Sequence, residues 1–263
     1  MAAGIKVKCL TATDLHLRPR LYDNLAQAVE EQKPDLLALI GDFLDGDDPS
    51  EVKWARLSIE EAARRIAALK CEVVFVLGNH EPPCWDAFAT AWAATGRVLN
   101  VLHGSAFIFG PLKIVGFPCL MGGHDFHLQG VPRLFDKHAS SWLSTLMFNE
   151  GQAALSCWLM HEPPMRELCE EWAFCEDWYR ETDRWQPLVT VSGHDHKFPR
   201  QTGIFHVVHN RTVSINCGQK IFPVPGPLTY CLLEFEFASS EPSIPKHFSF
   251  QRCEVKEADE DPF

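Results

Sequence analysis

The sequence contains no apolar run approaching the ~20 residues that a membrane-spanning helix needs, so a soluble chain is expected. It also lacks a basic segment leading into a long apolar stretch. Met1-Ala2-Ala3-Gly4-Ile5-Lys6-Val7-Lys8 has neither feature, and no secretory leader is expected. Positive charge is scarce. Twenty-four Lys and Arg against 35 Asp and Glu leave a formal net charge of -11, which counts against binding duplex DNA through a basic surface. Contact with nucleotides at a metal centre stays open, because bound cations reverse the local field. No internal repeat, linker or low-complexity tract divides the 263 residues. With 46% hydrophobic and 22% charged residues, a single globular domain over 1–263 is expected.

Cysteine is plentiful, but its pattern excludes two readings. The ten cysteines are scattered from Cys9 to Cys253 with no two-residue-spaced pair of the zinc-ribbon kind. Cys9, Cys71, Cys157 and Cys231 sit inside apolar runs, where a free thiol packs as a small core residue. Reduced, structural cysteines imply a reducing compartment, and a cytoplasmic protein is expected. Nothing marks a catalytic thiol.

The apolar runs set the fold class. Ile5 to Thr13 reads as a buried strand, followed by a helix with Leu21, Leu25, Ala28 and Val29 on one face and closed by Pro34. Asp35 to Gly41 gives a second strand. Ser50 is the predicted N-cap of a helix carrying Trp54, Leu57, Ala62, Ile66 and Leu69, and Cys71 to Leu77 gives a third strand. Continuous apolar strands alternating with helices predict an α/β fold with parallel pairing. Further on, 107–109 and 112–117 form a predicted hairpin, followed by a Gly- and His-rich loop, a helix near Ser140 to Asn149 and a strand Leu155 to Met160. Residues 163–186 read as an inserted helical segment. Strands follow at 189–191, 204–209, 212–217 and 228–237, mostly antiparallel by their short connections, and 254–263 reads as a frayed acidic tail.

Polar residues concentrate where these strands end. The first runs into Asp14-Leu15-His16, the second into Gly41-Asp42-Phe43-Leu44-Asp45, the third into Gly78-Asn79-His80-Glu81. Leu155 to Met160 runs into His161, and the strand around Val189 into Gly193-His194-Asp195-His196. Open α/β sheets place their ligands at these carboxyl ends. Two carboxylates, one amide oxygen and four imidazoles are too many for one ion with an open position, and they suit two ions sharing a carboxylate. Mixed oxygen and nitrogen donors favour Mn, Fe or Zn over Ca or Mg. Glycine before Asp42, Asn79 and His194 is expected to allow a tight backbone turn. Any one piece carries little weight: the chain holds a second Asp-x-His, Asp125-Phe126-His127, which no apolar strand feeds directly. Five such pieces in order exceed ordinary turn chemistry.

Asp14-x-His16, Gly41-Asp42-x-x-Asp45, Gly78-Asn79-His80-Glu81, His161 and Gly193-His194-x-His196 resemble the signature of the calcineurin-like metallophosphoesterases. The spacings agree: 26 residues from His16 to Asp42, 37 from Asp42 to Asn79 and 33 from His161 to His194. The resemblance spans about Ile5 to Gly218 and implies a four-layer α/β/β/α sandwich of two mixed sheets. By similarity, Asp14, His16, Asp42 and His196 hold one divalent ion, and Asp42, Asn79, His161 and His194 a second, with Mn expected and Fe or Zn as alternatives. Water shared by two dications has its pKa pulled from ~15.7 towards neutrality, so the implied reaction is attack of hydroxide on a phosphoester. His80 matches the residue that protonates the leaving oxygen or stabilises the equatorial charge, Asp45 the carboxylate that orients it, and Glu81 reads as a structural acceptor.

The chain departs from the protein Ser/Thr phosphatases of that superfamily at one point. They carry Arg-Gly after the second Asp, whereas Asp45 here is followed by Gly46-Asp47-Asp48. The implied substrate is therefore a small phosphomonoester or phosphodiester, nucleotide-like ones included, and the spacing resembles the class III cyclic-nucleotide phosphodiesterase and small bacterial or archaeal phosphoesterase branch. A nuclease and a non-catalytic metal-binding scaffold are the alternatives. The -11 charge disfavours the first, and the intact motif disfavours the second. The 121–127 loop and the tryptophans of 163–186 could approach a substrate, and Arg133, Arg166 and Arg180 are candidate phosphate contacts.

Overall fold

Along strand β1 (Ile5–Ala12), Val7 and Cys9 face one apolar layer while Leu10 and Ala12 face another. This two-residue alternation inside an unbroken apolar run means that both faces of the strand are covered. The computed structural model describes residues 4–46, 55–117, 119, 154–221, 225–238 and 241–255. In the first sheet, β1 runs parallel to β2 (Leu36–Ile40), which pairs with β3 (Glu72–Val76) and then β4 (Asn100–Val101). On its other side β1 lies antiparallel to β11 (Thr229–Ala238), which pairs with β12 (Glu241–Glu254). The second sheet has the order β5 (Ser105–Phe109), β6 (Leu112–Phe117), β7 (Ser156–Met160), β8 (Val189–Ser192), β10 (Thr212–Asn216) and β9 (His206–His209).

Three apolar layers separate four structural ones. Helices α1 (Pro19–Gln32), α2 (Ile59–Ala67) and α3 (Trp85–Ala93) cover the outer face of the first sheet, with Leu21, Ile66 and Phe88 packed against Leu37 and Leu39. Ile40, Val76, Leu159 and Val191 meet between the sheets. Helix α4 (Glu176–Trp185) closes the far side, where Trp178 and Trp185 pack on Phe117, Trp158 and Met160. The expected α/β/β/α sandwich with two mixed sheets is the observed fold. No helix among the described residues is long and apolar enough to cross a membrane. All ten cysteines are free, and burial pushes the thiols of Cys84, Cys157, Cys169 and Cys175 up to about 12.

Several local expectations change. Helix α2 is capped by Ser58, whose hydroxyl accepts from the Glu61 amide at 3.1 Å, and it starts after Leu57; Ser50 and Trp54 lie outside the described residues. Strand β10 returns parallel to β8, not antiparallel, because short helix α5 (Phe198–Thr202) and edge strand β9 form the crossover between them. The 163–186 segment is two 3₁₀ turns (Arg166–Leu168 and Glu171–Ala173) followed by α4. Strand β12 runs through Glu254, and buried Val255 donates its amide to the Leu228 carbonyl at 3.0 Å, so the start of the expected tail is held; 256–263 lie outside the described residues. So do the predicted helix near 140–149, the 121–127 loop with Asp125 and His127, and Arg133.

Candidate metal centre

Strands β1, β2 and β3 of one sheet and β7 and β8 of the other deliver their carboxyl ends to one place. Backbone bonds knit the loops there. The Asp14 amide donates to the Gly41 carbonyl at 3.1 Å, the His16 amide to the Asp42 carbonyl at 2.8 Å, and the Gly193 amide to the His161 carbonyl at 2.9 Å. Asp14, His16, Leu17, Asp42 and His194 all have positive φ, between 46° and 64°. Such conformations cost about 1–3 kcal/mol each and collect at functional sites, where the surrounding structure enforces them.

Two glycines serve different needs. Gly41 has φ of 71°, and a β-carbon there would overlap the His161 ring. Gly78 has no positive φ; its service is room, since a β-carbon would overlap Asp42 Oδ1. The tight turn expected from the sequence thus holds at Gly41, whereas at Gly78 glycine admits a neighbouring carboxylate.

The side chains form two clusters that share one residue. Ligand atoms of Asp14, His16 and Asp42 lie within 4.8 Å of one another, and so do those of Asp42, His161 and His194. In the second cluster, His161 Nε2 is 3.1 Å from each of Asp42 Oδ2, Asn79 Oδ1 and His194 Nδ1. His161 Nδ1 is 3.4 Å from the Ile40 carbonyl, which can only accept, so that contact places the ring hydrogen on Nδ1 and directs the Nε2 lone pair at the other three atoms. Four lone-pair donors converging on one point suit a cation better than a single shared proton. In the first cluster Asp14 Oδ2 and His16 Nε2 are buried without a hydrogen-bond partner among the described residues. Buried polar atoms are nearly always paired, so two adjacent exceptions suit a cation as their shared partner. His196 stands beside them, its ring centroid 6.0 Å from that of His16.

The proton balance points the same way. Burial pushes both His16 and His194 down to about 3, which keeps them as neutral, metal-ready imidazoles. Burial also lowers His196 and raises Asp14. At the centre, burial opposes charge on Asp42 and on His161, but each overrides it for the other. The Asp42 carboxyl is held well below the usual range, and His161 is lifted to about 10. A dication held by these residues would take over the role of that proton.

A third cluster, His16, Asp45 and His80, also has ligand atoms within 4.8 Å. It already holds a cation: Arg56 Nη2 lies 2.9 Å from Asp45 Oδ2, while Asp45 Oδ1 is 3.5 Å from His80 Nδ1. This makes Asp45 a poor metal ligand and a good anchor for the His80 ring.

Residues 7–198 match the sequence model of the calcineurin-like phosphoesterases. The chain belongs to that family. No curated protein matches it by sequence. Among solved structures, a Thermus thermophilus protein is similar with a TM-score of 0.63 at 14% identity, covering 96% of this chain and 100% of its own. A dimetal phosphatase from Danio rerio gives 0.56 at 12% identity over 95% and 99%. The calcineurin-like phosphoesterase YfkN from Bacillus subtilis gives 0.55 at 16% over 96% and 91%.

All nine residues singled out from the sequence of this calcineurin-like phosphoesterase gather at the shared strand ends. Among the supporting residues, Glu81 is the structural acceptor expected from the sequence, and the others were less legible. Glu81, fully buried, accepts from the Gly78, Asp42 and Leu44 amides at 2.6, 2.9 and 2.9 Å, and so pins two ligand loops. Asp195 accepts from the Glu170, Lys197 and Phe198 amides, and Asn216 donates to the carbonyls of Leu168, Gly193 and Asp195. Asp195, between two histidines of a motif, had a signal; Arg56 and Asn216 had none. Of the insert's tryptophans, Trp178 and Trp185 are core, while exposed Trp172 lies 5.1 Å from His194 between ring centroids. Arg166 pairs with Glu171 and Glu176, and Arg180 with Glu176 and Asp177, so neither is spare for phosphate.

Proposed function

We propose that the chain hydrolyses a small phosphomonoester or phosphodiester, nucleotide-like ones included, at a centre of two divalent cations. Asp14, His16, Asp42 and His196 hold the first, and Asp42, Asn79, His161 and His194 the second, with Mn the expected ion and Fe or Zn the alternatives. The observation that carries this reading is Asp42, whose carboxylate belongs to both clusters. Bound there, two dications supply a water-derived nucleophile at neutral pH and neutralise the phosphate oxygens. The Danio rerio protein of the same fold, a dimetal phosphatase, supports the choice. His80 is the general acid: Asp45 and Arg56 fix its ring so that it passes a proton to the leaving oxygen. Asp47 and Asp48 where the protein phosphatases carry Arg-Gly, with a net charge of -11, favour small substrates over large phosphoproteins and duplex nucleic acid. Ten free cysteines fit a cytoplasmic setting.

The test is hydrolysis of p-nitrophenyl phosphate and bis-p-nitrophenyl phosphate by EDTA-stripped protein with Mn, Fe, Zn or Mg restored singly. Turnover returns with Mn. In His80→Ala it falls by about 10²–10⁴-fold while two bound ions remain. A folded protein that binds no metal overturns the reading, and the ratio of the two rates assigns monoester or diester.

A further inference from the structure

Next to the metal centre, on the His196 side, lies a pocket of about 320 Å3 whose walls are cationic. Lys197 and Arg200 line it from the start and middle of α5, and Lys220 faces them from the loop after β10. Spacing of three residues puts Lys197 and Arg200 on one face of the turn. The floor is Gln219 and Ile221, each 1% exposed. Among the described residues no acidic side chain lines the pocket, and none of the three cations forms an ion pair. In a chain with a net charge of -11, three such cations around one cavity are out of balance with the rest of the molecule.

The pocket is also held in shape. The Gln219 amide donates to the His196 carbonyl at 3.2 Å, joining the Lys220 loop to the metal-site loop. Asp195 Oδ1 accepts from the Lys197 and Phe198 amides, which fixes the start of α5. Buried Arg18, two residues after His16, donates from Nη2 to the Ile221 carbonyl at 3.0 Å. Gly218, with φ of 63°, permits the close approach, since a β-carbon there would sit 3.2 Å from Arg200 Cγ. The three cationic side chains are exposed on a backbone fixed by these contacts, and an anion bound among them would offset their mutual repulsion.

We propose that this pocket is a subsite for a second anionic group, so that the preferred substrate is a phosphoester bearing a further phosphate or carboxylate. His196 belongs both to the pocket and to the proposed ligand set, so one small molecule can span the two. The inference rests on the dimetal reading above, and the experiment separates them.

Metal-loaded wild type, Arg200→Glu and Lys220→Glu are compared on fructose 6-phosphate and fructose 1,6-bisphosphate, a pair without an aromatic base to stack elsewhere. In wild type the KM for the bisphosphate is about tenfold lower, the contribution of one charge-assisted hydrogen bond. In both variants that difference closes. Equal KM values in wild type, or a preference that survives both substitutions, overturn the subsite. Hydrolysis of p-nitrophenyl phosphate and bis-p-nitrophenyl phosphate by wild type reports on the metal centre without the pocket, and the absence of both activities with every metal overturns the dimetal reading. Calorimetric titration with fructose 1,6-bisphosphate reads the pocket without turnover: binding about tenfold weaker in the variants supports it, and unchanged binding refutes it.

Discussion

Asp42 Oδ2 lies 3.1 Å from His161 Nε2 and 3.8 Å from His16 Nε2, so one carboxylate oxygen serves imidazoles delivered by two different sheets. Asp42→Asn removes the charge and leaves only one oxygen. Bound metal, measured by plasma mass spectrometry, is expected to fall from two ions per chain to one or none. Phosphoester turnover falls on the order of 10²-fold or more. Two ions retained at wild-type affinity would mean that the carboxylate is not shared.

Glu81 offers a test that leaves every proposed ligand in place. Its two oxygens accept from three amides of the Asp42 and Asn79 loops. In Glu81→Gln the side-chain NH2 must face at least one of those N–H groups, and a buried unsatisfied donor costs about 1–3 kcal/mol. Urea unfolding is expected to register that loss, accompanied by metal binding weakened about 10–100-fold as the loops shift. Wild-type stability would mean that the amides find other acceptors.

Two tryptophans six residues apart separate packing from recognition. Trp178 is 1% exposed, donates to Glu162 at 3.3 Å and meets Phe117 edge-on, so Trp178→Ala is expected to cost about 3–5 kcal/mol. Trp172 is 53% exposed, and Trp172→Ala changes stability by no more than about 0.5 kcal/mol. From its place beside His194 it is expected to stack on an aromatic leaving group. The KM for p-nitrophenyl phosphate rises about 2- to 10-fold, while that for an aliphatic phosphate stays put.

His103 sits buried beyond β4, and burial lowers its pKa from 6.5 to about 4. The unfolded chain therefore takes up a proton at a pH where the folded one does not. The stability due to a neutral His103 is complete above pH 6.5 and is lost as pH falls towards 4. Between those values wild type is expected to lose roughly 2–3 kcal/mol more than His103→Gln, measured by denaturant unfolding of both at each pH. Parallel curves would show that His103 does not carry the effect.

The site and the sheets it stands on were legible because both follow short-range rules. Continuous apolar runs such as Cys71 to Leu77 demand two covered faces, and polar residues at their ends have one edge to gather at. What the sequence hid depends on partners far along the chain. Arg56 becomes part of the site only because its guanidinium reaches Asp45, and nothing near Arg56 announces that. Ser58 with Glu61 is a cap signal of the usual kind, but the earlier serine at 50 drew the helix start away from it. Helix α3 was missed because Trp85, Phe88 and Trp92 follow a Pro-Pro pair that reads as loop. Strand β12 was missed because Pro242 and Pro245 break its pattern; at a sheet edge a proline is tolerated.

Because Asp14, Asp42 and Asn79 hang from one sheet and His161, His194 and His196 from the other, the span between the two donor sets is measured by what lies between the sheets. That filler is Ile40, Val76, Leu159 and Val191, close-packed and nearly incompressible. The apolar sandwich is in this sense a ruler. Its thickness, set by aliphatic volume remote from any chemistry, sets how far apart the two donor sets stand, so the geometry of the site is written partly in residues that never reach it.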